Sequence, residues 1–205
     1  MIILINLLLN NNILNEINRV AKIIGVLGKG HRGVVLKAIY NNKVVAIKVV
    51  RKDSPKNTIE HEAKILKLLE RYNIAPKVYY YTKDFVIMDY IDGEELKSAI
   101  FKLNKEEVLK VVENILKICL ILDRVGVEHG EIQGGRHFLV GRDKVYIIDF
   151  DKSRVKKTTK NFTSGISLLF GNNVIANKVK ETLNLSEEDI KFLRDLAKIY
   201  KKING

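Results

Sequence analysis

One cysteine in 205 residues excludes a disulfide framework. Cys119 lies in the apolar run ILKICLIL, so the expectation is a small core residue in a reducing, cytoplasmic setting. No uninterrupted apolar stretch reaches the 18 or so residues of a membrane span. The start, MIILINLLLNNNILNEINRV, is apolar but has no basic flank and no small-residue cleavage site, and asparagines break it. It is expected to pack against the rest of the chain rather than act as a signal or an anchor. Repeats and low-complexity linkers are also missing, which leaves one domain or two small halves with a core of their own. Dense basic blocks are scarce beyond RVKK and the overlapping KKTTK, although 36 Lys and Arg against 24 Asp and Glu give a net charge of +12. A field of that sign attracts nucleotides, RNA or acidic protein surfaces.

The elements fall in two groups. In the first, IIGVLG, VVLKAIY and VVAIKVV read as three strands, and the segment from Asn57 to Tyr72 as a helix with Asn57 and Glu60 in a capping box. Two further runs in KVYYYTKDFVIMDY read as strands joined at Thr82-Lys83-Asp84, and the pattern breaks at Asp92-Gly93. In the second, Asn104 caps a long helix, EEVLKVVENILKICLILDRV, apolar enough to suggest burial on most sides. The loop HGEIQGG, a strand RHFLV, a turn at Gly141-Arg142-Asp143 and a strand VYIID follow. An irregular basic segment over 151–180 and a capped helix from Ser186 to about Lys202 complete the chain. A strand-rich half followed by a helix-rich half, broken near 88–93, would commonly carry a ligand crevice.

The chemistry gathers at a few motifs. Gly28, Gly30 and Gly33 form GxGxxGxV, but Val34, Val35 and Leu36 continue as a strand, so the glycines mark a hairpin tip and not the dinucleotide-binding strand-to-helix turn. The next strand carries Val45-Ala46-Ile47-Lys48. A lysine among apolar strand residues needs a carboxylate partner, and Glu62, on the inward face of the following helix, supplies one. Farther on, His129-Gly130-Glu131 precedes Asp149-Phe150-Asp151 by an interval of 18 positions from Glu131 to Asp149.

This constellation resembles the protein kinase superfamily over about Ile23 to Asp151. The resemblance implies an α+β, bilobal fold: a five-stranded antiparallel N-lobe sheet plus a helix, then a truncated, mostly helical C-lobe. The implied division is a helical extension over 1–22, an N-lobe over 23–88, and a hinge with C-lobe over 89–205. It implies ATP on the loop of Val26, Leu27, Gly28, Lys29, Gly30, His31, Arg32, Gly33 and Val34, with Lys48 on the phosphates and Glu62 orienting Lys48. Met88 would guard the adenine pocket and the backbones of Asp89 and Ile91 would face the base. Asp149 would hold Mg²⁺, with Mn²⁺ as a substitute, and Glu131 would accept the proton of the attacked hydroxyl.

The family writes HRD or HGD where this chain has HGE, and an asparagine metal ligand where the count of five from Glu131 reaches Arg136. Arginine cannot ligate a cation, although it can touch phosphate. A one-residue slip brings His137 there instead, a nitrogen ligand suited to Mn²⁺ more than to Mg²⁺. His129 is read as a packing and hydrogen-bonding residue. Thr158, Thr159, Thr163 and Ser164 are candidates for autophosphorylation. No APE motif follows Asp151, and 54 residues remain, 152–205, too few for the usual large helical lobe. The compact atypical kinases are the nearer likeness: the RIO group and the small kinase associated with tRNA threonylcarbamoylation. They imply transfer to Ser or Thr, on a protein or on the chain itself, and an RNA-related assembly as partner, with no membrane. A nucleotide-binding pseudokinase acting as a regulatory module is the alternative.

Overall fold

In the computed structural model the described residues are 5, 7–30 and 32–204. Residues 1–4 and 6, part of the expected N-terminal extension, His31 at the loop tip, and Gly205 lie outside them. The chain divides into two compact units, 1–91 and 92–205.

The first unit is built on a five-stranded sheet, β1 (Lys22–Lys29), β2 (Gly33–Tyr40), β3 (Lys43–Val50), β4 (Val78–Tyr81) and β5 (Phe85–Asp89), in the order β1-β2-β3-β5-β4. Every pairing is antiparallel. Asn41 and Asn42, at φ 48° and 62°, close the two-residue turn between β2 and β3 with the left-handed backbone such hairpins need. β3 is central and buried from Val45 to Val49. Its odd-numbered positions, Val45, Ile47 and Val49, join Val34, Leu36, Ala38, Phe85 and Ile87 in a core that is capped by Ile5, Leu8, Leu9, Leu14, Ile17 and Ala21. These six residues therefore cover one face of the sheet. Part of this cover is helix α1 (Asn11–Val20), capped by Asn10, whose Oδ1 accepts from the Asn12 amide at 2.9 Å.

Helix α2 (Ile59–Leu69) buries Ile59, Glu62, Ala63, Ile65, Leu66 and Leu69, so its one buried carboxylate lies on the apolar stripe. The expected capping box is not formed. Asn57 Oδ1 accepts from the Ile59 amide at 3.0 Å while its Nδ2 donates to the Lys83 carbonyl at 2.7 Å, tying the helix start to the β4–β5 turn. Glu60 pairs instead with Lys64 one turn on, at 2.8 Å.

The second unit contains β6 (Glu94–Glu95), α3 (Leu96–Ala99), α4 (Lys105–Val125), β7 (Val127–Glu128), β8 (Phe138–Val140), β9 (Val145–Ile147) and β10 (Arg154–Val155). Helices α5 (Asn161–Phe170), α6 (Val174–Leu183) and α7 (Glu187–Asn204) follow. β6, β8 and β9 form one small sheet, and β7 with β10 another. Asn104 and Glu107 cap α4 reciprocally, at 3.0 and 2.8 Å, and Gly126 ends it at φ 76°. Burial of α4 follows one stripe, Val108 through Leu122, and Leu109 and Leu120 are exposed, so the expectation of burial on most sides is corrected.

The segment 151–180, expected to be irregular, contains β10, α5 and most of α6. The helical character of α5 is hidden because its cap is remote. Lys160 at the N-cap position makes no side-chain cap, and Asp123 of α4 accepts from the amides of Asn161 and Phe162, both at 2.9 Å. Cys119 is buried, its Sγ packed where Gly165 of α5 leaves room, and burial together with Asp123 pushes its thiol pKa upward. Among the described residues no helix is long and apolar enough to cross a membrane.

Candidate active site

In the first unit the glycine hairpin and Lys48 lie side by side. Gly28 pairs with Val35 and Lys29 with Val34. The Gly30 amide donates to the Gly33 carbonyl at 2.8 Å, closing the tip. Gly33 is required by packing: a Cβ there would meet the Val49 carbonyl oxygen at 2.9 Å, with Lys48 methylenes at 3.6 and 3.7 Å. Gly28 is not, because among the described residues beyond its chain neighbours no atom lies within 4 Å of its would-be Cβ. A need for glycine at position 28 must therefore come from something other than the protein's own packing. Val26, Leu27 and Val34 flank the loop on β1 and β2, and Leu27 is exposed where Val34 is buried.

Lys48 points from β3, between Val35 of β2 and Val86 of β5, on the face opposite the N-terminal cover. Its Nζ is 2.6 Å from Glu62 Oε2, and the two side chains are 10% and 1% exposed. A buried ammonium and a buried carboxylate at this separation fix each other, since losing either leaves a charge out of water. Arg51 joins the assembly from beyond the strand end. Its Nη1 donates to the Gly30 carbonyl at 3.0 Å and its Nε to Asp53 Oδ1 at 2.8 Å, which holds the Asp53 carboxyl below its ordinary range. The Arg32 carbonyl accepts from the Arg51 amide at 3.1 Å. Nothing in the local sequence pattern marks Arg51 as the tether of the loop.

Met88 is buried on β5, opposite Ala46. Asp89 is engaged: its amide donates to the Lys77 carbonyl at 2.9 Å, and its carboxylate accepts from the Lys77 amide and the Tyr79 hydroxyl. That hydroxyl bond, aided by burial, pushes the Tyr79 pKa up to about 12. Ile91 is half-buried at the end of the unit.

In the second unit Glu131, His137 and Asp149 come together. Glu131 begins a short 3₁₀ turn, Ile132–Gly134, and Gly130 and Gly135 bracket it with left-handed backbone at φ 87° and 68°. Glu131 Oε1 is 2.8 Å from Lys152 Nζ and 3.6 Å from an Arg136 nitrogen, and Oε2 is 3.7 Å from His137 Nε2. Burial alone would raise the Glu131 carboxyl, but Lys152 and His137 outweigh it and hold the pKa below its ordinary value. The other ring nitrogen of His137, Nδ1, is 3.7 Å from Asp149 Oδ2. Asp149 sits at φ 66°, a left-handed conformation that costs most non-glycine residues free energy and recurs at functional positions. His137, 7% exposed, stands beside Asp149, whereas the Arg136 side chain is 63% exposed and nears Glu131 at 3.6 Å.

His129 is the buried support of this group. Its Nε2 donates to the Ile148 carbonyl at 2.9 Å and its Nδ1 accepts from the Glu131 amide at 3.3 Å, which fixes one neutral tautomer. Its ring meets Phe150 edge-on at 4.9 Å. Burial lowers its pKa to about 4. Asn161 of α5 accepts from the His129 amide at 3.0 Å and donates to Asp123 and to the Val127 carbonyl, so the loop backbone hangs on the same remote cap that starts α5. Lys152, Asn161 and Asp123 were not legible as site residues, because each acts across 21 to 38 positions of chain. Of the candidate acceptors, Thr159 donates to Asp123 and Thr163 to the Lys160 carbonyl at 3.0 Å. A cavity of about 410 Å³ opens beside Glu131, lined also by Gln133, Arg136, Lys160, Asn161 and Ser164.

Among the described residues no three His, Cys, Asp or Glu side chains form a ready metal cage. Asp149 offers a cation the oxygen donor that Mg²⁺ prefers and His137 a nitrogen better suited to Mn²⁺, and the phosphates and waters of a nucleotide would complete the shell of either.

The protein kinase domain family matches residues 21–191. An uncharacterized protein of Methanocaldococcus jannaschii, MJ1211, is 62% identical over 116 residues, which span 57% of this chain and 100% of that protein. The KEOPS complex subunit Bud32 of Pyrococcus abyssi is 36% identical over 92 residues, 43% of this chain and 41% of that protein.

Proposed function

The chain belongs to the protein kinase family, and from that premise we propose that it is an ATP-dependent phosphotransferase acting on a Ser or Thr hydroxyl, of a protein or of another copy of itself. The observation that carries this reading is the buried Lys48–Glu62 pair at 2.6 Å beside the glycine hairpin. A fold does not retain an ion pair of that burial for stability, since an apolar pair of similar volume serves as well or better. A presented ammonium does serve a polyphosphate.

In this reading the hairpin backbone from Val26 to Val34, His31 included, and Lys48 hold the phosphates, and Glu62 orients Lys48. The Asp89 carbonyl and the Ile91 backbone meet the base, the Asp89 amide being committed to Lys77. Asp149 and His137 would hold the metal, which when bound offsets charge on the phosphate oxygens. The acceptor hydroxyl oxygen bonds to the γ-phosphorus as the bond from that phosphorus to the β,γ-bridging oxygen breaks. ADP leaves, and the hydroxyl proton passes to Glu131. Lys152 keeps Glu131 ionised and ready to accept it, at the cost of basicity, so turnover is slow. The cavity beside Glu131 receives the acceptor. The P. abyssi relative is named as a subunit of a complex, and we infer by analogy that this chain too works within an assembly, RNA-associated in view of the +12 charge.

A regulatory, nucleotide-binding role without transfer is the second reading, favoured by the tight Lys152 contact on Glu131. Incubation with γ-labelled ATP and Mg²⁺ or Mn²⁺ separates the two. Label on Ser or Thr, abolished in Asp149→Ala, is expected. Label that survives Asp149→Ala rejects the metal assignment, and an ATP-induced rise in melting temperature without any transfer favours the regulatory role.

A further inference from the structure

Resting on the nucleotide reading above, we propose that His137 is a metal ligand through Nδ1, and that it makes this site select Mn²⁺ or a similar borderline cation over Mg²⁺. The two ring nitrogens face two carboxylates: Nδ1 is 3.7 Å from Asp149 Oδ2 and Nε2 is 3.7 Å from Glu131 Oε2. Both contacts are longer than a hydrogen bond, and a small closure would let Nδ1 ligate while Nε2–H donates to the Glu131 carboxylate behind it. Two donors that share an octahedral cation lie about 3 Å apart when each bond is about 2.1 Å, so a contraction of under 1 Å joins Nδ1 and Asp149 on one ion.

The ring is held for the task. It is 7% exposed, its centroid lies 5.4 Å from that of His129, and His129 is locked between the Ile148 carbonyl and the Glu131 amide. The His137 carbonyl accepts from the Ile148 amide at 2.9 Å, one residue before Asp149, so both ligands are fixed to the same pair of strands. Arg136 presents no lone pair. A nitrogen donor favours Mn²⁺ and later first-row cations, whereas Mg²⁺ keeps to oxygen. Glu131 then has two tasks, accepting the proton and aiming the ligand, which gives its longer side chain a role that a shorter carboxylate would serve less well.

The test is pulsed electron paramagnetic resonance on the full chain with Mn²⁺ and the β,γ-methylene analogue of ATP, which has no bridging nitrogen. Nitrogen coupling of imidazole strength is expected, changed in form when the protein carries ¹⁵N-histidine and absent in His137→Asn. Affinities for the analogue measured with each cation should show a Mn²⁺ preference about tenfold above that of the free analogue, falling toward it in His137→Asn. The ¹⁵N-histidine comparison needs no variant, so misfolding of His137→Asn cannot mask the answer. Mn²⁺ held on the protein with the analogue but without histidine coupling overturns the ligand assignment and leaves the nucleotide reading intact. Failure of the analogue to bind with either cation overturns both.

Discussion

The glycine hairpin with Lys48 in the first unit and the carboxylate cluster of the second differ in how much of each lies in contiguous sequence. Gly28 and Lys48 are 20 positions apart, on three successive strands joined by tight turns. Residue types there are those that phosphate chemistry asks for. The second cluster is assembled from Glu131, His137, Asp149 and Lys152, hung on Asn161 and Asp123. Its charges match the family's pattern while its side-chain lengths and donor types do not. Gripping a triphosphate tolerates little variation in the grip, whereas a carboxylate can be moved by a methylene if its neighbours move with it.

The largest effect that would sharpen this contrast is on turnover. Glu131→Gln should lower ADP formation by about 10²-fold or more while ATP still raises the melting temperature. Full activity in that variant would mean that the second cluster does not supply the base. Next in size is a stability effect confined to the first unit. Lys48→Met leaves Glu62 buried without its partner and should cost about 3 kcal/mol in urea unfolding, and adding Glu62→Leu should recover most of it without restoring activity. A double variant as unstable as the single one would show that the pair is not coupled as its geometry requires.

The second unit has its own stability signature, in pH. His129 has a folded pKa of about 4 against the ordinary 6.5, so below 6.5 the unfolded chain takes up a proton that the folded one refuses. Its contribution is complete above 6.5 and is lost as pH falls toward 4, at up to about 1.4 kcal/mol per pH unit. The melting temperature should drop between pH 6.5 and 5, above the range where carboxylates protonate, and His129→Gln should flatten that drop. Smallest is the pair of glycines. Gly33→Ala should destabilise by about 1–3 kcal/mol because the Val49 carbonyl cannot yield, whereas Gly28→Ala should stay within about 0.5 kcal/mol and weaken ATP instead. Equal stability losses would remove the argument that Gly28 is glycine for a ligand.

What could be read beforehand divides along the same line. The strands of the first unit, the α2 stripe and the Asn104 cap of α4 are local, written in period and cap chemistry, whereas the α+β architecture with its five-stranded sheet was implied by the family resemblance. Apart from the burial of α4, the failures are long-range. Asn57 was expected to share a capping box with Glu60, and instead it accepts from the Ile59 amide while tying the helix start to a turn 26 positions away. Helix α5 had no start signal because its cap is Asp123, and Arg51 carried no mark of its contact with Gly30. The choice between Arg136 and His137 beside Asp149 depended on where β8 begins: it begins at Phe138, leaving His137 in the loop just before it. A one-residue boundary of that kind is fixed by strand pairing and not by propensity.

The proposed function requires that Lys48 and Asp149 act on one nucleotide. A double-mutant cycle on ATP affinity in Mg²⁺, measured by titration calorimetry for the parent chain, Lys48→Met, Asp149→Ala and the pair, addresses it directly. Coupling of about 1 kcal/mol or more is the predicted result, and losses that simply add, within about 0.5 kcal/mol, would contradict it.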